Sequence, residues 1–161
     1  MIGPDPSGGP FFLRQGVEKR TMTTVEWGWS HDCSFPSGMD TAHSLIDTIM
    51  GKLQGTEWSS KEQFAINLAL EEALVNAVQH GNRSDPSKNV HFSCKLTRSL
   101  AKFRVEDEGD GFDPSAVPDP TDDDHILIAS GRGVLLIKGF VSRVWWNDKG
   151  NVLEFEKDRS E

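Results

Sequence analysis

The segment of residues 60–80 constrains the fold most, because it is a long helix with apolar residues around much of its circumference. Ser59 or Ser60 can cap its start, Glu62 completes a loose capping box, and Gly81-Asn82 ends it. Such a helix needs cover from other elements, so the sequence predicts that it is largely buried against a second layer. Its apolar positions are Phe64, Leu68, Leu70, Ala73, Leu74, Ala77 and Val78.

Shorter periodic segments on both sides of this helix supply the rest of the fold. Ser37 or Asp40 can cap the first of the two shorter helices. Strands joined as hairpins, with helices between them, indicate an α+β fold: a two-layer sandwich of a mixed, mostly antiparallel sheet with helices on one face. In chain order we predict a strand at 25–35, a helix at 40–53, the long helix, strands at 90–96 and 101–107, a helix at 134–141, and strands at 143–147 and 152–157.

The chain has 161 residues, which is enough for one domain with a sizeable core. Residues 1–21 are rich in Gly and Pro and have no clear periodicity, so we expect a flexible leader followed by a single domain at 22–161. Residues 108–131 are rich in Gly, Pro and Asp and predict a long loop of the kind that often carries function.

Composition narrows the classes of partner. Acidic residues number 25 against 17 basic ones, giving a formal net charge of −8, so we expect the chain to repel nucleic acid. A nucleotide would instead need a metal ion and oriented backbone N–H groups around its phosphates. No apolar run approaches the ~20 residues that span a bilayer, and no secretory signal is present, which predicts a cytoplasmic protein. Cys33 and Cys94 are far apart and lack CxxC spacing, which argues against a disulfide framework or structural zinc.

Polar side chains interrupt the long apolar helix. Glu72, Asn76 and His80 recur at every fourth residue and therefore share one helix face. A carboxylate and an amide on such a face can act as a general base and as an oxygen ligand for Mg²⁺. The same spacing is also typical of a solvated stripe, and periodicity alone favours that simpler interpretation.

A second motif, Asp107-Glu-Gly109-Asp-Gly111, directly follows a predicted strand. Its glycines allow the backbone to approach a ligand closely. Asp107, fixed at the end of the strand, can accept a hydrogen bond from an exocyclic amine such as the adenine N6 amine. A DxGxG motif by itself is weak, because a Gly-rich turn that leaves a sheet has the same pattern.

A third motif, Ser130-Gly131-Arg132-Gly133, lies between the long loop and a predicted helix. Backbone N–H groups at a helix N-terminus attract phosphate, and Arg132 adds a cation. The motif is neither a Walker sequence nor a dinucleotide-binding fingerprint. A flexible loop end would have the same composition.

In this order, the three motifs resemble those of the GHKL ATP-binding superfamily, and within it the small anti-sigma-factor serine/threonine kinases. Glu72-Ala-Leu-Val-Asn76-Ala-Val-Gln-His80-Gly81 is similar to their N-box, and the segment at Asp107 is similar to their first glycine box. The segment at Gly131 resembles their second glycine box, with the residues before it standing for the ATP lid. The resemblance extends over about residues 25–157 and implies their Bergerat ATP-binding fold.

The resemblance also implies a role for each motif residue. Glu72 would be the general base that takes the proton of a Ser or Thr hydroxyl, and Asn76 would coordinate the Mg²⁺ that bridges the ATP phosphates. Asp107 would read the adenine. His80 would belong to the nucleotide site and is not expected to be phosphorylated. The further nucleotide-binding residues would be Gly109, Gly111, Gly131, Arg132 and Gly133, the last three forming the hinge of the lid.

The implied function is transcription regulation by an anti-sigma factor. Such a protein phosphorylates a STAS-domain anti-anti-sigma protein, binds a sigma factor when that partner is absent, and forms a homodimer. Two alternatives stay open: a catalytically inactive, nucleotide-dependent binding module that switches partners, and a small domain with an unrelated ligand. The presence of Glu72 favours the kinase, because a module that only binds nucleotide does not require a general base.

Overall fold

A five-stranded sheet forms one layer of the protein. The computed structural model describes residues 27–113, 115 and 129–161. The described strands lie in the order β1-β2-β3-β5-β4, and each of their pairings is antiparallel. The predicted α+β fold is therefore confirmed. The elements are β1 (Trp27–Pro36), α1 (Met39–Leu53), α2 (Ser60–Val75) with a π-helical turn (Asn76–Gly81), β2 (Asn89–Thr97), β3 (Leu100–Asp107), α3 (Ala129–Phe140), β4 (Arg143–Trp146) and β5 (Val152–Asp158).

The helices cover one face of this sheet. Along β3 every second residue is buried, and Phe103 stacks on Phe155 of β5 with ring centroids 4.9 Å apart. Ile66, Leu70 and other fully buried helix residues join the same core cluster. Burial of each large apolar side chain contributes about 1.5–3 kcal/mol, so the core fixes the register of the strands. The same alternation turns Asp107, the last residue of β3, towards the helices.

The opposite face of the sheet carries ion pairs. Lys102 lies 3.4 Å from Glu156 and 3.8 Å from Glu154, and Arg104 lies 2.7 Å from Glu106. These partly exposed pairs add little stability and mark this face as the solvent side. In the part of the chain that the structure describes, the helices are too short or too polar to cross a membrane.

The predicted elements are present, but some of their ends differ. α3 begins at Ala129 rather than at 134, so the third motif lies in the first turns of this helix and not before it. The predicted caps of α1 are wrong, because its N-cap is Gly38 without a side-chain cap. Ser37 instead donates a hydrogen bond to the Lys88 carbonyl at 2.8 Å. The predicted leader at 1–21 lies outside the described residues.

A buried carboxylate joins the start of α2 to the end of the chain. Glu62 is 6% exposed and accepts hydrogen bonds from the Ser59 N–H at 2.8 Å, the Ser59 hydroxyl at 2.9 Å and the Ser160 N–H. Ser59 Oγ accepts from the Glu62 N–H in return, which completes the capping box. Burial raises the pKa of Glu62, but the hydrogen bonds from Ser160 and Ser59 outweigh it and lower this pKa to about 2.

Glu62→Gln should lower the free energy of unfolding by about 1–2 kcal/mol at neutral pH, because Gln has one acceptor oxygen and no charge. The pKa of the folded state lies below the ordinary 4.5, so the carboxylate stabilises the fold above that pH. This contribution is lost as the pH falls from 4.5 towards 2. Urea unfolding of both proteins across this range should show their difference shrinking in acid. A difference that is constant with pH would contradict the assignment.

Candidate nucleotide site

The end of β3 holds a buried carboxylate, and only one of its two oxygens accepts a hydrogen bond from a described residue. Asp107 is 8% exposed, and its Oδ1 accepts a hydrogen bond from the Gly109 N–H at 2.8 Å. No described residue donates a hydrogen bond to its Oδ2. Burial raises the pKa of Asp107, and the opposing effects of the Gly109 hydrogen bond and the Lys149 charge do not cancel this rise.

Comparison with the buried carboxylate of Glu62 shows why the lack of a described donor to Asp107 Oδ2 is significant. Both carboxylates are buried, but Glu62 accepts three hydrogen bonds and has a lowered pKa, whereas Asp107 accepts one and has a raised pKa. Buried polar atoms in folded proteins almost always have a partner. Oδ2 of Asp107 is therefore suited to a donor that a ligand supplies, such as an exocyclic amine.

Glycines allow the glycine loop (residues 107–111) to pack directly against the end of the π-helical turn. A Cβ at Gly81 would overlap the Asp107 carboxylate, and a Cβ at Gly109 would overlap the Gly81 carbonyl. Gly111 has φ +78° and lies against the Lys149 carbonyl in the turn between β4 and β5. The loop is thus held between the helix layer and this turn, and a side chain at any of the three positions would separate them.

The start of α3 lies directly against Glu72 and Asn76. A Cβ at the buried Gly133 would lie 2.6 Å from Glu72 Oε2, 3.4 Å from Asn76 Nδ2 and 3.5 Å from Asn76 Oδ1. No described residue makes a hydrogen bond to the side chain of Glu72 or of Asn76. The first and third motifs therefore meet beside a carboxylate and an amide that no side chain or backbone group of the described residues engages.

The π-helical turn widens the helix where the first motif ends. The Asn82 N–H bonds to the Ala77 carbonyl at 2.9 Å, five residues back. Such turns are rare and occur often at functional sites. His80 lies on this turn and is exposed, as is Arg132 on α3. Gly131 lies in the first turn of α3.

The residues around Asn76 suit Mg²⁺ as a partly solvated ion. Mg²⁺ takes oxygen ligands, keeps several waters, and is commonly held by one or two protein groups together with substrate phosphates. Within the described residues there is no group of three or more His, Cys, Asp or Glu side chains that could hold a metal by itself. The Asn76 amide oxygen would be one protein ligand, and phosphate and water would have to supply most of the others.

Asn82 belongs to the surroundings of this site, although the sequence analysis treats it only as the end of a helix. It is fully buried, and its Nδ2 donates to Ser37 Oγ at 2.8 Å and to the Asn89 carbonyl at 2.9 Å. Its Oδ1 accepts from the Glu108 N–H at 2.8 Å, in the middle of the glycine loop. The sequence carries no signal for this contact, because an Asn after a helix is typical of an ordinary end.

The fold and the meeting of these three motifs define a nucleotide-binding domain, and comparison with known proteins gives its family. The family model of the histidine kinase-like ATPase domain matches residues 35–157. The chain belongs to this family, which confirms the predicted GHKL resemblance. ATP is therefore the nucleotide that the domain binds.

Two relatives show how far the likeness extends. The serine/threonine-protein kinase BtrW of Bordetella bronchiseptica is 29% identical over 63 residues, which cover 39% of this chain and 44% of that kinase. The solved structure of the RsbU and RsbW domains of Rv1364c from Mycobacterium tuberculosis matches with a TM-score of 0.55 and 14% identity. That match covers 81% of this chain and 32% of the other, and it shows a shared fold. The chain thus spans less than half the length of each.

Proposed function

We propose that this chain is a cytoplasmic, Mg²⁺-dependent protein serine/threonine kinase that phosphorylates a STAS-domain anti-anti-sigma protein. The observation that carries the proposal is the Glu72 carboxylate, which has no described hydrogen-bond partner and lies against Gly133, as the Asn76 amide also does. The name of BtrW as a serine/threonine kinase and the RsbW-like fold support the same class. We further propose that residues 22–161 form the ATP-binding domain, and that the protein is a homodimer that binds a sigma factor when its substrate is absent.

In this proposal, the two ends of the site bind different parts of ATP. The free oxygen of Asp107 accepts a hydrogen bond from the adenine amine, with Gly109 and Gly111 forming the adjacent backbone. The N–H groups at the start of α3, around Gly131 and Gly133, point to the phosphates. Arg132 adds a positive charge there, and His80 lies at the rim. Asn76 would hold Mg²⁺, and that ion would supply neutralisation of the phosphate charge.

The reaction is a phosphoryl transfer. The hydroxyl oxygen of the substrate Ser or Thr forms a bond to the γ-phosphorus of ATP as the bond from that phosphorus to the β–γ bridging oxygen breaks. ADP leaves, and the hydroxyl proton passes to the carboxylate of Glu72. The contribution of the chain is to position the two reactants and to accept this proton.

Transfer of phosphate to STAS-domain proteins tests the proposal. The purified chain would be incubated with Mg²⁺, γ-labelled ATP and each STAS-domain protein encoded in its own genome. We expect label on a Ser or Thr of one of them. If ATP binds and none of them is labelled, the kinase proposal is wrong and the chain is instead a nucleotide-dependent binding module.

Gly133→Ala should slow the transfer by about tenfold or more while leaving stability almost unchanged. The added Cβ would lie 2.6 Å from Glu72 Oε2, so the flexible Glu72 side chain must move away from its position. Gly139→Ala is the matched control, because it lies on the same helix with open space around its Cβ. The control should gain about 0.5–1 kcal/mol of stability and keep its activity. Equal transfer rates for the two variants would contradict the placement of Glu72.

A further inference from the structure

The peptide unit that links Asp107 to Glu108 is held by two asparagine side chains. Its N–H donates to Asn82 Oδ1 at 2.8 Å, and its C=O accepts from Asn151 Nδ2 at 2.8 Å. The N–H and C=O of a trans peptide point in opposite directions, so one asparagine holds each side of the same plane. Asn82 belongs to the helix layer and Asn151 to the turn before β5.

This pair of contacts fixes Asp107, whose Oδ2 accepts no hydrogen bond from a described residue. Rotation of the Asp107–Glu108 peptide would turn the backbone on which the Asp107 side chain stands and would move the Gly109 N–H that binds its Oδ1. Asn82 resists this rotation strongly, because it is fully buried and its Nδ2 is tied to Ser37 and Asn89. A planar amide with all its bonds made has no alternative rotamer that keeps them.

We infer that Asn82 and Asn151 are positioning residues that set the base selectivity of the nucleotide site by fixing the peptide after Asp107. The inference rests on the proposed function, in which Asp107 accepts a hydrogen bond from the adenine amine. Neither asparagine touches the base. Their effect is to hold the Asp107 carboxylate where it favours an amine over a carbonyl on the purine ring.

The ratio of affinities for ATP and ITP measures this selectivity, because ITP has a carbonyl in place of the adenine amine. The ratio does not change when only the folded fraction of a variant falls, so it separates positioning from general destabilisation. A well-placed charge-assisted hydrogen bond accounts for roughly a tenfold preference or more. We expect Asn82→Ala and Asn151→Asp to lower the ATP:ITP ratio by about this factor.

Two further variants complete the design. Asn82→Asp keeps an acceptor for the Glu108 N–H but loses the Nδ2 donor to Ser37 and Asn89, so it should also lower the ratio. Ser37→Ala removes one of the two bonds from Asn82 Nδ2 but leaves the bond to the Asn89 carbonyl, which still holds the side chain, so it should lower stability with the ratio unchanged. If Asn82→Ala does not fold, the ATP:ITP ratio of Asn151→Asp decides whether the peptide is positioned in this way. Asn151 is less buried than Asn82, and its replacement removes the donor to the Asp107 carbonyl.

The outcomes separate this inference from the proposed function. If the wild-type chain prefers ATP and transfers phosphate while Asn151→Asp and Asn82→Ala keep the full ratio, the positioning role is wrong and the kinase proposal stands. If the wild-type chain shows no preference for ATP over ITP, the base-reading role of Asp107 fails and this inference fails with it. A lowered ratio in both variants, with the Ser37→Ala ratio unchanged, supports the inference.

Discussion

Glu72→Gln should reduce phosphoryl transfer by about 10²- to 10⁴-fold while leaving the affinity for ATP unchanged, because a positioned general base contributes a factor of this size. Gln has nearly the same shape as Glu but cannot accept the hydroxyl proton. The side chain of Glu72 makes no hydrogen bond to a described residue, so its replacement should not disturb the fold. Single-turnover transfer of labelled phosphate and equilibrium binding of ATP measure the two quantities separately.

Glu71→Gln is the matched control for this experiment. Glu71 is the adjacent residue on α2, is exposed, and accepts a hydrogen bond from Asn67 at 3.1 Å. Its variant should transfer phosphate at the wild-type rate. If Glu72→Gln also transfers at that rate, Glu72 is not the general base. If it loses ATP affinity along with transfer, Glu72 acts in binding the nucleotide.

Asp107→Asn should weaken ATP binding by roughly 10- to 100-fold, the range expected for one hydrogen bond to a charged group. Asn keeps an acceptor for the Gly109 N–H, but an amide nitrogen would replace the free Oδ2 and face the donating amine of the base. Folding raises the pKa of Asp107, so the fold disfavours its charge, and the neutral Asn should not destabilise the protein. Calorimetric titration with ATP and thermal unfolding measure the two effects.

Glu106→Gln provides the comparison for Asp107→Asn. Glu106 precedes Asp107 on β3 but points to the other face of the sheet, where it pairs with Arg104. Its variant should bind ATP as the wild type does. Wild-type affinity in Asp107→Asn, with the Glu106 variant equally unaffected, would contradict the assignment of the adenine to this end of the site.

Local patterns in the sequence account for much of the fold. Apolar residues lie around most of α2, and apolar and polar residues alternate along β2 and β3. These patterns predict the elements, because a buried face requires apolar residues at a regular spacing. The Ser59 capping box is also visible locally, since its residues are neighbours in the chain.

Contacts between distant residues account for what the sequence did not predict. The insertion of β5 between β3 and β4 depends on pairing across the whole chain, and no local pattern encodes it. The sequence predicts that Ser37 caps α1, but its hydroxyl instead accepts a hydrogen bond from Asn82, which is 45 residues away in the chain. α3 starts earlier than predicted because Ala129, Ser130 and the two glycines show no apolar period.

In the candidate site, too, some features could be predicted from the sequence and others depend on contacts that only the structure shows. The residue types at Glu72, Asn76 and Asp107 indicate nucleotide chemistry, and the resemblance orders them into one site. Only the structure shows that Gly133 lies against Glu72 and Asn76, and that Oδ2 of the buried Asp107 has no described partner. The roles of all the site residues stay predictions, and the structure adds for His80 and Arg132 only that both are exposed.

Equilibrium binding of ATP, with and without Mg²⁺, tests the central claim most directly, because every assigned role depends on a nucleotide in this site. We expect saturable binding of ATP that Mg²⁺ strengthens, and a loss of that strengthening in Asn76→Ala, because the Asn76 side chain makes no hydrogen bond to a described residue and its removal should not disturb the fold. An absence of ATP binding in the presence of Mg²⁺ would contradict the account.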